Sequence, residues 1–161
     1  MFCYQCEQAA KGTGCTAMGV CGKDPRTAAL QDLLLYETMI LSDAALQSGN
    51  CSDEVAERVI ENLFSTVTNV NFDPEKIAEL IKETRKATDE FAGGCSCCCG
   101  CGCSEEPTIE ELVEEGEGYS PQADIDRYGA DLGGLKWLAI YGLKGMAAYA
   151  DHAWILGHKD N

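Results

Sequence analysis

Four of the chain's 11 cysteines fall before residue 22, in the pattern Cys3-x2-Cys6-x8-Cys15-x5-Cys21. Four converging thiolates are what a cubane iron–sulfur cluster requires. The Cys-x2-Cys pair supplies two of them from one turn, and the other two must come from a loop that folds back. Gly12, Gly14, Gly19 and Gly22 surround these cysteines. Glycine lets the backbone approach a cluster closely and aim N–H groups at its sulfurs, which raises the reduction potential. Structural zinc also takes four cysteines, usually as two knuckles, and the x8 and x5 spacings suit it poorly; spacing alone leaves it open. Disulfides are disfavoured in a reducing compartment, and free buried thiols need no such density.

A second group, Cys95, Cys97, Cys98, Cys99, Cys101 and Cys103, lies on a glycine-rich stretch. Thiolates at adjacent and alternate positions can wrap soft ions such as Cu(I) or Zn(II). A second Fe–S cluster is an alternative, although consecutive cysteines are awkward for a cubane. A variable linker with free thiols is the plainer reading. Cys51 stands alone and is expected to be a packed thiol. His152 and His158, six apart, match neither helical pair spacing and are expected at the surface or as caps. Gly12 and Gly14 do not form a phosphate loop, because no Gly-Lys-Ser/Thr follows them.

The elements that must position these residues read as helices. Asp24-Pro25 is an N-cap followed by proline at the first helical position. Leu30, Leu33, Leu34, Leu41, Ala44 and Ala45 then share a face, and Gly49 ends the helix. A second helix begins near Ser52, with Asp53 and Glu54 in its first turn, where the dipole favours acids. Val55, Val59, Ile60, Leu63 and Phe64 line its apolar side. Asp73-Pro74 starts a third, with Ile77, Leu80, Ile81, Thr84, Ala87 and Phe91 on its buried face and Gly93-Gly94 after it. Short connections make these an antiparallel three-helix bundle. A short helix is expected over residues 108–115, and another turn or so at 124–128. The last element is a long helix over residues 134–156, apolar on most sides and in want of cover all round. Residues 30–36 and 135–141 resemble each other, which suggests a second bundle with only its lead helix present; chance similarity of two apolar helices is the alternative.

The formal net charge of −15 would repel nucleic acid and anionic membrane surfaces. Much of the acid lies in Glu105, Glu106, Glu110, Glu111, Glu114, Glu115 and Glu117, expected to be a solvated face. Residues 135–156 carry Lys136, Lys144, Asp151 and His152, too many polar groups for a bilayer. The N-terminal residues MFCYQCEQ lack the pattern of a signal peptide. A cytoplasmic protein is expected, and clustered cysteines there point to metal or redox work.

The opening 36 residues, MFCYQCEQAAKGTGCTAMGVCGKDPRTAALQDLLLY, closely resemble the start of the hybrid-cluster proteins, also called prismane proteins or hydroxylamine reductases. FSTVTNVNFD at residues 64–73 and YGLKGMAAYADHAWILGHKDN at residues 141–161 continue the resemblance, which covers most of the chain outside about 93–130. It implies that Cys3, Cys6, Cys15 and Cys21 bind the family's N-terminal cluster. It further implies that their spacing belongs to the branch with [4Fe–4S] rather than [2Fe–2S], and that the first domain holds two three-helix bundles. Family members run to several hundred residues, and their hybrid-cluster ligands lie in later domains. The known catalytic site therefore does not carry over, and whether this chain is itself an enzyme stays open.

The expected fold is all-α, in four parts. Residues 1–23 bind the cluster, 24–92 form the three-helix bundle, 93–130 are a Cys-rich and acidic linker, and 131–161 start a second, incomplete bundle. The expected function is electron transfer through one [4Fe–4S] cluster. The expected partners are a redox donor protein and either the missing catalytic domains or a second copy completing the second bundle, with no nucleic acid and no membrane. The alternative is a soft-metal-binding or redox-sensing protein acting through the cysteines at 95–103.

Overall fold

The computed structural model describes residues 3, 5–6, 14–91 and 106–158. Their structure is all-α: helices α1 (Pro25–Ser48), α2 (Asp53–Ser65), α3 (Pro74–Phe91), α4 (Ile109–Gly116) and α5 (Pro121–Ile155). The β-pairing among the described residues is one isolated antiparallel bridge, Cys3 to Cys15. None of the helices is long and apolar enough to cross a membrane.

Local chemistry sets the helix ends. The Asp24 carboxylate accepts the Thr27 N–H at 2.6 Å and caps α1, and Pro25 follows it. That hydrogen bond holds the Asp24 carboxyl below its ordinary range. Gly49 closes α1 in the left-handed conformation (φ 70°), where a side chain would be strained. Ser52 caps α2, and a Thr108–Glu111 capping box starts α4. Asp73 accepts the Glu75 and Lys76 N–H groups at the head of α3. Because α1 begins directly after the cysteine loop, its cap also fixes where that loop ends. Asp24→Ala is expected to cost about 1 kcal/mol in urea unfolding, and Asp24→Asn much less.

α1 is the central helix. Leu30, Leu33 and Leu34 meet Ile77, Ala78, Leu80 and Ile81 of α3 and Leu112 of α4, all buried. Ile109, Val113 and Tyr119 pack against this cluster. The segment read from sequence as a linker thus contributes a wall of the core. Its described acids lie on an exposed face, as expected, and three of them form surface pairs: Glu106 with Lys82, Glu110 with Arg26, and Glu115 with Arg85. Arg85 also reaches Glu37, so one guanidinium joins α1, α3 and α4. α2 joins through a polar hub, in which the buried Asn62 amide donates to Thr38 of α1 at 3.1 Å and to Thr84 of α3 at 2.8 Å. The apolar side of α2 is only half-buried, and the helix packs chiefly against α5.

α5 begins 13 residues before the position expected from sequence. Gly129, with φ 83° and ψ 163°, breaks its regularity, and the first segment returns along the second. There Gly133 lies so close to Ile125 that an added Cβ would stand 2.9 Å from its Cα. Lys136 and the Trp137 indole N–H both donate to Asp124, which locks the fold-back. Beyond it α5 buries one stripe, Ile140, Lys144 and Ala147. Leu132, Leu135, Leu138, Met146 and Tyr149 are exposed, Tyr149 at 85%. The all-round cover that this sequence calls for is therefore not supplied by the described residues.

Candidate metal centre

The cysteine loop is pinned at its two ends. The Cys3 N–H donates to the Cys15 carbonyl at 2.9 Å, and the Cys15 N–H returns to Cys3 at 2.8 Å. This pairing brings two of the four sequence-identified thiols side by side. Cys15 is buried, while Cys3, Cys6 and Cys21 are half-buried. Gly14, next to Cys15, adopts φ 98°, and Gly22, next to Cys21, adopts φ 92°. A turn from Gly19 to Lys23 holds Cys21: the Gly19 N–H donates to the Lys23 carbonyl at 2.8 Å, and the Gly22 N–H to the Gly19 carbonyl at 2.9 Å. A Cβ on Gly19 would sit 3.0 Å from the Cys21 sulfur, so glycine is what leaves that thiol its space. A backbone hydrogen bond from Gln5 favours the Cys3 thiolate, although burial dominates and pushes the Cys3 thiol up.

The donor set is soft and sulfur-only, which suits thiophilic metals and iron–sulfur clusters. Among the described residues no three Cys, His, Asp or Glu side chains converge tightly enough to hold a single metal ion. A cubane spreads its four thiolates wider than a lone ion does, and the pinned Cys3–Cys15 pair with the space kept by Gly19 fits such a group.

Behind the loop lies a buried charged cluster that sequence reasoning missed. Gln5, between Cys3 and Cys6, donates to Asp32 of α1 at 2.9 Å and accepts from Lys144 of α5 at 3.2 Å. Lys23 is 1% exposed and Lys144 5%. Burial pushes Asp32 up to about 6, against the pull of the Gln5 hydrogen bond and of Lys144 and Lys23. Burial pulls Lys144 down to about 8, helped by Lys23 and opposed by Asp32 and Cys3. The sequence signal was a lysine on the inward stripe of an apolar helix, a position where charge is retained only for a partner.

The other candidates separate. Cys95, Cys97, Cys98, Cys99, Cys101 and Cys103 lie outside the described residues. Cys51 is exposed rather than packed, because it follows the α1 cap at the surface. His152 and His158 are exposed, as expected, and the His152 ring meets Phe64 of α2 edge-on.

An all-α chain that sets a four-cysteine loop against the head of its central helix defines a class of thiolate-rich helical domains. The sequence matches the Prismane/CO dehydrogenase family over residues 1–161, and the chain belongs to that family. It is 47% identical, over 100% of its length, to a hydroxylamine reductase of Maridesulfovibrio salexigens, of which it covers 31%. It is 45% identical to one of Geobacter metallireducens and 42% identical to one of Methanocella arvoryzae, over 99% of this chain and 32% of each relative. The family resemblance drawn from the cysteine motif is thereby borne out. The chain spans about a third of the length of these relatives.

Proposed function

We propose that Cys3, Cys6, Cys15 and Cys21 hold one [4Fe–4S] cluster, and that the chain serves as the electron inlet of a cytoplasmic, hydroxylamine-reductase-like oxidoreductase. When bound, such a cluster supplies one-electron oxidation and reduction. The chain's residues do the rest. The Cys3–Cys15 backbone pairing sets the spacing of two ligands, Gly19 keeps the space beside Cys21, and α1 and α5 shield the back of the loop. The observation that carries the reading is that pairing, which brings together cysteines 12 apart in sequence at the head of α1.

The reaction itself is assigned to parts of a larger assembly. The relatives bear the name hydroxylamine reductase and are about three times as long. The exposed apolar stripe of α5 supports a surface that further helices, from those parts or from a second copy, complete as a second bundle. A redox donor protein delivers the electron.

Anaerobic purification followed by iron and sulfide analysis tests this reading. About four irons and four sulfides per chain, with a cubane EPR signal after reduction, are expected. Zinc without sulfide would remove the cluster from the protein.

A further inference from the structure

The buried charges behind the cysteine loop do not balance among the described residues. Lys23 and Lys144 are both inside, and Asp32 is the carboxylate that both act upon. Ammonium groups are rarely buried without a counterion. Lys23 borders the cysteine loop: it lies two residues after Cys21, and its carbonyl accepts the Gly19 N–H of the turn that holds Cys21. Lys144 is also tied to the Cys-x2-Cys turn through Gln5, 139 positions away in the chain. Both buried cations therefore belong to residues that adjoin the loop carrying the four cysteines.

We propose that Lys144, seconded by Lys23, is a positioning residue that sets the reduction potential of the site, with Asp32 as its built-in opponent. The inference rests on the [4Fe–4S] reading above. Four thiolates give the site negative charge, and reduction adds one more electron to it. A buried cation nearby stabilises the reduced form more than the oxidised form and raises the potential; a buried carboxylate does the reverse. Gln5 holds the opposed pair in register, taking a hydrogen bond from Lys144 and giving one to Asp32. The potential thus depends on a side chain from α5 as well as on the loop that supplies the ligands.

Four anaerobically purified proteins decide it: wild type, Lys144→Gln, Lys144→Arg and Asp32→Asn. Iron and sulfide are counted first, then each is titrated potentiometrically at neutral pH by EPR of the reduced state. In Lys144→Gln the reduced-to-oxidised ratio at the wild-type midpoint is expected to fall about tenfold, about 59 mV for one electron. Lys144→Arg should lie within about twofold of wild type, because it keeps the charge. Asp32→Asn should shift upward. A loaded Lys144→Gln protein with an unchanged midpoint overturns the proposal. So do shifts of the same sign in Lys144→Gln and Asp32→Asn, which would mark a change of shape rather than of charge. If Lys144→Gln fails to load, Asp32→Asn decides alone, and no upward shift overturns the proposal. Wild type without iron and sulfide sinks the cluster reading as well, whereas unchanged midpoints in loaded variants sink only this inference.

Discussion

Cys15→Ser is expected to lower bound iron from about four per chain to below about one, with a parallel loss of sulfide. Of the four cysteines proposed as ligands, Cys15 is the most buried, and its backbone exchanges both hydrogen bonds with Cys3. The substitution leaves that backbone pairing intact and removes only the sulfur. A serine hydroxyl does not ionise near neutral pH, whereas the thiolate is the form that binds metal. Three anchored ligands and a neutral fourth leave one corner of a cubane unheld. The helices should survive, because Cys15 lies outside the α1–α3–α4 core cluster, and far-ultraviolet circular dichroism checks this. The matching control is the triple variant Cys97→Ser, Cys98→Ser, Cys99→Ser, whose iron and sulfide should equal wild type. The opposite pair of results, iron kept in Cys15→Ser and lost in the triple variant, would move the metal site to residues 95–103.

What could be read in the sequence follows the range of the interactions involved. Helix starts are local: Asp24-Pro25, Ser52 and Thr108 announce themselves because a cap needs only the next three residues. The buried face of α3 is likewise legible, since Ile77, Leu80, Ile81 and Thr84 repeat at helical spacing and are all buried. The start of α5 was not. Gly129, Gly133 and Gly134 look like breakers, yet only Gly129 departs from helical geometry, and Gly133 serves close contact with Ile125. Whether a glycine breaks a helix or admits a neighbour depends on a segment that local pattern does not see. The same limit hid the site's charged backing. Asp32 sits inside the apolar run of α1 and Lys144 inside that of α5, and each reads as an exception until Gln5 joins them. The acidic run is the solvated face that its composition suggests: Glu106, Glu110, Glu111, Glu114, Glu115 and Glu117 are exposed, and three of them meet Lys82, Arg26 and Arg85 across the fold. Exposed pairs of this kind contribute little each, so the position of α4 rests mainly on Leu112 and on the close approach at its C-terminal end.

That close approach is expected to make Gly116→Ala one of the most damaging single-methyl changes in the chain, costing about 3 kcal/mol. Gly116 ends α4 and is buried against α1. An added Cβ would stand 2.2 Å from the Ala29 carbonyl oxygen and 2.7 Å from its carbon. Those atoms belong to the backbone of the central helix and cannot rotate away as a side-chain tip would. Relief requires α4 to lift, and that movement withdraws Leu112 from the core and pulls Tyr119 off the Tyr36 ring, on which it stacks at 3.9 Å between centroids. The loss should appear as a lower urea midpoint with an unchanged slope. Gly134→Ala is the internal comparison. Its Cβ would meet nothing within 4 Å, and alanine favours a helix interior by up to about 1 kcal/mol, so it should hold or raise the midpoint. Equal midpoints for the two variants would mean that α4 does not lie directly on the α1 backbone, and that the core is closed in some other way.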